Sequence, residues 1–447
     1  MNVLLINPWI YDFAAYDLWL KPLGLLNIAS FLEKFGYKVS LINCLDRNHP
    51  LGGKRYKNPP ANRFNCGKFF SQEVAKPPLL KDVPRKYKRY GIPPEIFEEE
   101  LSHLEKPHVV GITSGMTYWY PGVFEVIKRI KEKFPKTPVI LGGIYASLCF
   151  EHARKFSGAD YIIKGKGEIP FLKILDGIKG VKRDYSRICW KKIQQNLLPA
   201  YHLLYRTASV AILTSRGCPF RCSYCASFLL EDCFIQKDPE KVLNEISYYV
   251  NKFKVKDIAF YDDALLVNAE KHIIPILEGI IKKFKGKVRF HTPNGLHIKF
   301  IDEKMAKLFY SANFKTIRLS FESISSNKAS EMDLVKAVEN FARAGYKKED
   351  LGVYIMVGLP GQDLDEITNS IEFVRKTGAR VKIAEFSPIP GTAEFEKAIR
   401  HSCLPLQQEP LFQNNSIFYL WNKKISYQDL LKIKKLSKKE DECGPLE

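Results

Sequence analysis

No stretch of this 447-residue chain approaches the ~18–20 uninterrupted apolar residues that a membrane-spanning helix needs. The short apolar run at residues 3–6 meets Asn7-Pro8 rather than a signal-peptide cleavage pattern, so a cytoplasmic protein is expected. The biases of disordered, collagen-like and disulfide-scaffold chains are missing as well: hydrophobic residues make up 45% and charged residues 26%, both ordinary for globular proteins. Acid is in short supply. Asp and Glu number 49 against 69 Lys and Arg, and the formal net charge of +20 favours nucleic acid, anionic cofactors or acidic protein partners. Single cores stop growing near ~250–300 residues, so this length implies two or three domains.

What is present is an alternation of short apolar runs with helical patterns. Residues 3–6, 39–42, 108–113, 138–141 and 161–163 are continuous apolar runs, the mark of parallel strands buried on both faces. Between them, residues 23–35 and 123–134 carry apolar side chains at helical spacing with Lys and Glu opposite. That order predicts an α/β fold beginning with a doubly wound, Rossmann-like parallel sheet over residues 1–175. A stretch without clear period, holding Cys189-Trp190, is expected to link domains over 176–206. Strand-like runs at 210–214, 257–261, 288–291, 316–321, 352–357 and 381–386 then alternate with helical segments at 239–252, 271–283 and 364–376. Six such units predict a partial (β/α)6 TIM-type barrel over 207–393, whose chemistry belongs at the strands' C-terminal ends. A small helical, Lys-rich C-terminal tail is expected over 394–447.

One segment does not fit a minimal sheet. Residues 46–105 form a sixty-residue insertion punctuated by Pro59-Pro60, Pro77-Pro78 and Pro93-Pro94, far longer than the usual ~4–6-residue connection. Within it, residues 51–90 hold eleven Lys or Arg against two acids, interleaved with Tyr56, Phe64, Phe69, Phe70, Tyr87 and Tyr90. Basic residues among aromatics can track phosphates and stack on bases, which makes RNA one partner to consider. The competing reading is that the rings pack the insertion against the domains while the lysines face water.

Cysteine decides the chemistry. Ten cysteines with no secretion signal are expected as metal ligands or buried thiols. Three of them, Cys218, Cys222 and Cys225, follow the first barrel strand in Arg216-Gly217-Cys218-Pro219-Phe220-Arg221-Cys222-Ser223-Tyr224-Cys225. Thiolates at this spacing can hold three corners of a cubane cluster from one loop, leaving the fourth iron open for a chelating small molecule. Structural zinc would need four ligands, usually in two pairs, and no second pair of that spacing exists. Cys233 is read as a buried or incidental thiol.

On these residues the stretch from Val210 to about Thr392 resembles the radical S-adenosylmethionine (SAM) superfamily. The resemblance implies a [4Fe-4S] cluster on the three cysteines, with SAM chelated to the open iron. It further implies that Tyr224 lies beside the adenine, and that Glu322, ending the fourth strand, meets ribose or methionine. Gly358, in Val357-Gly358-Leu359-Pro360-Gly361, is expected to pass near the adenine. Asp262 and Asp263 stand where the family usually has Gly-Gly-Glu, a departure that still offers carboxylates to the ligand's amino group. As alternatives, the two aspartates could cap the following helix, and Glu322 could pair with Arg318 or a lysine.

The first half resembles the cobalamin-binding domain that often precedes this barrel, through Leu4-Leu5-Ile6-Asn7-Pro8, Val110-Gly111-Ile112-Thr113-Ser114, Leu141-Gly142-Gly143-Ile144 and Ile163-Lys164-Gly165-Lys166-Gly167-Glu168. Glycines at strand ends let the backbone approach a flat ligand, and Thr113 and Ser114 offer hydroxyls. Gly142, Gly143, Gly165, Gly167 and Glu168 complete the expected cobalamin-facing set. The Asp-x-His-x-x-Gly signature of the methionine-synthase type is absent after the first strand, and His49 is read as an ordinary loop histidine. Together these resemblances imply a cobalamin-dependent radical SAM methyltransferase acting at an unactivated carbon of a small-molecule or peptide substrate. They also imply an electron donor such as ferredoxin or flavodoxin. Two other readings stay open: a radical SAM enzyme without cobalamin that modifies RNA or a peptide, and a non-catalytic iron–sulfur sensor.

Overall fold

Strands with no polar alternation must be covered on both faces, and the fold does so twice. The computed structural model describes residues 1–61, 63–325 and 329–438. Strands β1 (Asn2–Asn7), β2 (Lys38–Asn43), β3 (Val109–Ile112), β4 (Val139–Leu141) and β5 (Tyr161–Ile162) form one sheet in the order 5-4-3-1-2, with every pairing parallel. This doubly wound order reverses direction between β1 and β3, and the crevice at such a switch point is where open sheets bind ligands. Helices Leu23–Lys34, Tyr120–Lys133 and Glu168–Lys179 cover the faces.

The second sheet carries six parallel strands in chain order: β6 (Val210–Ile212), β7 (Asp257–Phe260), β8 (Arg289–His291), β9 (Phe314–Glu322), β10 (Leu351–Val357) and β11 (Arg380–Glu385). All six expected strands are present, and the helix predicted at 364–376 spans Leu364–Lys376. The register of β9 against β10 shifts between Ser320 and Glu322, a bulge that re-aims the last residue of β9. The tail contributes the helices Ala393–His401 and Tyr427–Leu436, while residues 439–447 of the predicted extension lie outside the described residues.

The insertion is a packing element. Its strands Ser71–Glu73 and Lys88–Tyr90 form an antiparallel sheet with Ile10–Asp12. Tyr56, Phe69, Tyr87 and Tyr90 are buried, and Phe64 and Phe70 are half-buried, so the rings turn inward instead of presenting faces to a nucleic acid. The insertion and the segment before it also reach the start of the barrel. Trp19 stacks on His291 with ring centroids 4.1 Å apart, and the Asn65 amide donates to Asp257 at 2.7 Å.

Candidate functional site

The loop after β6 is held by a short ladder. Ser215–Arg216 pairs antiparallel with Ile235–Gln236, closing the loop that carries the three cysteines. Gly217 sits at φ +74°, and a Cβ there would lie 2.5 Å from the Cys233 carbonyl oxygen, so the turn into Cys218 demands glycine. The Glu394 amide donates to the Ser223 carbonyl at 3.0 Å, tying the loop to the tail.

Cys218, Cys222 and Cys225 border one cavity of about 390 Å³ at the C-terminal ends of the barrel strands, together with Tyr224, Asp262, Asp263 and Glu322. Seven of the eight barrel residues predicted from sequence thus converge. Gly358 is the exception: it sits at φ +98° with the Phe418 ring 2.4 Å from where a Cβ would lie, so its lack of a side chain accommodates the tail. Cys233 also lies outside this cavity and is exposed, 3.8 Å from the Lys166 ammonium.

Asp262 is fixed from behind. Its Oδ1 accepts from the Ser215 amide at 2.5 Å, the Ser215 hydroxyl at 2.6 Å and the Thr214 hydroxyl at 2.8 Å. Thr214 in turn faces His272 Nε2 at 2.9 Å. The other oxygen, Oδ2, is buried without a hydrogen-bond partner among the described residues. Burial pushes the Asp262 carboxyl up, against the hydrogen bonds that pull it down. Asp263 accepts from the Ser227 hydroxyl at 2.6 Å. Neither aspartate is a helix cap, because their partners lie on the cysteine loop.

Glu322 holds φ +73°, a left-handed conformation that is uncommon for a side chain of this size. Its Oε1 accepts from the Ser320 hydroxyl at 2.6 Å, while the Arg318 guanidinium donates instead to the Ile317 carbonyl at 3.1 Å. The Tyr224 hydroxyl is buried with no hydrogen-bond partner among the described residues, and burial, followed by the charge of Glu322, pushes it well up. Sequence reasoning missed Asn294, His297 and Tyr354, which line the same cavity. Thr292-Pro293-Asn294-Gly295, a polar turn directly after β8, was the available signal for the first.

Two further cavities, each of about 280 Å³, occupy the crevice of the first sheet and share Leu23, Thr113 and Gly143. Gly142, Gly165, Gly167 and Glu168 line the one that faces the barrel, and Ser114 lines the other. Cβ atoms built on Gly142 and Gly165 meet nothing within 4 Å, whereas one on Gly143 would come within 2.6 Å of the Thr113 hydroxyl. Gly167 instead makes room for Ile28, 2.9 Å from its would-be Cβ, and Glu168 pairs with Arg216 of the cysteine loop at 3.3 Å. His49 is buried away from both cavities, 3.2 Å from Glu100.

The donors fit the cofactors implied by the sequence. A cubane takes its thiolates at three separate irons. Among the described residues no three His, Cys, Asp or Glu side chains are grouped to hold a single metal ion. The bare Asp262 oxygen offers an ammonium-seeking partner in the cysteine cavity. The open space before Gly142 and Gly165 is a cradle that a side chain would fill.

Comparison with known proteins agrees with this layout. Residues 212–374 match the radical SAM superfamily and residues 90–175 the B12 binding domain. An uncharacterized methyltransferase, PH0819, from Pyrococcus horikoshii is 26% identical over 70% of this chain and 75% of its own. Cytidylyl-2-hydroxyethylphosphonate methyltransferase from Streptomyces wedmorensis is 21% identical over 89% of this chain and 82% of its own. The structure of the radical SAM methyltransferase TsrM from Kitasatospora setae superimposes with a TM-score of 0.64 at 16% identity, covering 92% of this chain and 83% of that one. TsrM has also been solved with cobalamin and a [4Fe-4S] cluster bound. With a B12 binding domain leading into a radical SAM domain whose three cysteines share one cavity, this chain is an enzyme of the radical SAM superfamily.

Proposed function

We propose that the chain is a cobalamin-dependent radical SAM methyltransferase acting at an unactivated carbon of a small molecule or peptide. One observation carries the reading: the cysteine loop is the common wall of two cavities. Leu213, Ser215, Arg216 and Gly217 border the glycine-walled cavity of the first sheet, the cysteines border the barrel cavity, and Asp263 lines both. When bound, the cluster with SAM supplies one-electron chemistry and cobalamin supplies a transferable methyl group.

The protein's part is to hold the cofactors. Cys218, Cys222 and Cys225 would hold the cluster. The Asp262 Oδ2 would take the amino group of SAM, with Ser215 and Thr214 keeping the carboxylate from turning away. Tyr224 and Glu322 border the space the rest of the ligand would fill. Gly142 and Gly165 would let the backbone approach the corrin. No histidine lines either crevice cavity among the described residues, which suits cobalamin held without a protein ligand beneath the metal. A cytoplasmic setting with ferredoxin or flavodoxin as electron donor fits this chemistry. No helix of the described residues is long and apolar enough to cross a membrane.

The test is anaerobic purification with cluster reconstitution and cobalamin loading, followed by absorption spectra and metal analysis. About four irons and one cobalamin per chain are expected. Iron without cobalamin, even with excess hydroxocobalamin, would replace this reading with a radical SAM enzyme that modifies RNA or a peptide.

A further inference from the structure

At the opposite, N-terminal end of the barrel strands lies another cavity, of about 260 Å³ and open to solvent. Trp19, Phe64 and Cys66 close it from the side of the first domain. Five cations, Arg63, Lys315, Arg318, Arg380 and Lys382, line it against two carboxylates, Glu349 and Asp350. Its geometry follows from strand register. Arg318 of β9, Gly352 of β10 and Arg380 of β11 are direct neighbours in one row, and Lys382 stands two rows further on, beside Tyr354. A Cβ on Gly352 would lie 2.8 Å from Arg318 Nη1, so the glycine lets the Arg318 side chain lie flat across β10.

Arg318 and Lys382 are half-buried while Arg380 reaches solvent, and half-buried cations are ordinarily paired. Just below, Arg289 makes two hydrogen bonds to Asp257, at 2.6 and 2.7 Å. Among the described residues Arg318, Arg380 and Lys382 have no carboxylate within ion-pair distance. The Arg318 side chain donates to its own neighbour's carbonyl, that of Ile317, at 3.1 Å. Burial first, then the charges of Arg318 and Arg380, pushes the Lys382 ammonium down, and burial does the same to Arg318. Gathering like charges without counter-charge costs stability that a bound anion would restore.

We propose that this end of the barrel binds a phosphate-class anion, held by Arg380, Lys382 and the Arg318 guanidinium that lies across Gly352. The donors suit it, since guanidinium forks match phosphoryl oxygens and an ammonium adds a point charge. The cavity admits one or two phosphoryl groups and opens to solvent on its outer side. The ligand is therefore a free inorganic anion or the phosphoryl end of a larger molecule whose body lies outside. This inference stands apart from the cofactor reading, because none of its three cations lines the cysteine cavity.

Calorimetric titration of the full-length, cluster-loaded chain with inorganic phosphate, diphosphate and ADP, at matched ionic strength, tests it. Saturable binding of diphosphate is expected, weakened about tenfold or more in Arg380→Gln and Lys382→Gln. ADP binding more tightly than diphosphate would identify the phosphoryl end of an organic ligand as the occupant, and equal binding a free anion. Gly352→Ala, which keeps every charge but crowds Arg318, should weaken binding as well. Circular dichroism and iron content confirm that each variant is folded. No saturable binding of any probe, or equal binding by wild type and both charge variants, would overturn the proposal.

Discussion

A carboxylate that spends three hydrogen bonds on one oxygen and none on the other is asymmetric for a reason, and at Asp262 the bare oxygen is buried beside the cluster cysteines. An unsatisfied buried acceptor costs about 1–3 kcal/mol, which a cationic ligand would return. Asp262→Asn keeps the shape and an acceptor for Ser215 but removes the charge. SAM affinity should fall tenfold or more with iron content unchanged, as measured by equilibrium binding to reconstituted protein. Unaltered affinity would mean that the amino group is held elsewhere. At the cysteines the split is sharper. Replacing Cys218, Cys222 or Cys225 with Ala should remove cluster iron, whereas Cys233→Ala should not, because Cys233 is exposed and outside the cavity. The cysteine spacing and the Asp262-Asp263 pair were legible in the sequence because they are contiguous. Thr214 and His272, which stand behind Asp262, were not, since nothing in a sequence pairs residues 58 positions apart.

The six barrel strands were legible as elements, because strands covered on both faces are written as continuous apolar runs. What plugs their lower end was not. Trp19 and Asn65 come from irregular segments with no period to read, and only the fold brings them to β7 and β8. The centre of that junction is Asp257, which accepts from both Arg289 nitrogens and from Asn65 and lies 3.2 Å from His291 Nε2. Burial pushes its carboxyl up, but the hydrogen bonds and charges of His291 and Arg289 outweigh burial and hold it at about 2. A carboxyl depressed on folding stabilises the protein fully above its unfolded value of ~3.9, and that stability disappears as pH falls through the folded value. The wild type should therefore lose about 2 kcal/mol between roughly pH 4 and pH 2 from this group alone. In Asp257→Asn that component of the pH dependence should be missing, and stability at pH 7 should be lower by about 3 kcal/mol, since Arg289 loses its counter-charge. Denaturant melts at a series of pH values measure both, and parallel pH curves for the two proteins would refute the assignment.

At the scale of the whole molecule the decisive feature is that the crevice of the first sheet opens onto the outer side of the cysteine loop. Arg216 spans the junction, reaching Glu168 at 3.3 Å and Glu231 at 3.5 Å while lying over the Trp190 ring. The sequence could place each domain's glycines and cysteines but not their confrontation, which rests on these long-range ion pairs and on a tail whose Phe418 packs over Gly358. Gly142 offers the cleanest test that the crevice holds cobalamin. Its φ of −137° suits any residue, and a Cβ there meets nothing within 4 Å, so Gly142→Leu should cost the fold little while filling the space ahead of the sheet. Gly143, one residue on, is the contrasting control. Its φ of +88° and the Thr113 hydroxyl 2.6 Å from a would-be Cβ make Gly143→Ala a backbone and packing defect that should lower stability itself. After anaerobic loading with hydroxocobalamin and removal of the excess, Gly142→Leu should keep wild-type iron, SAM affinity and melting temperature but lose the corrin absorption bands. A Gly142→Leu protein that still carried one cobalamin per chain would place the corrin outside this crevice, and the cysteine loop could no longer be the wall between the two cofactors.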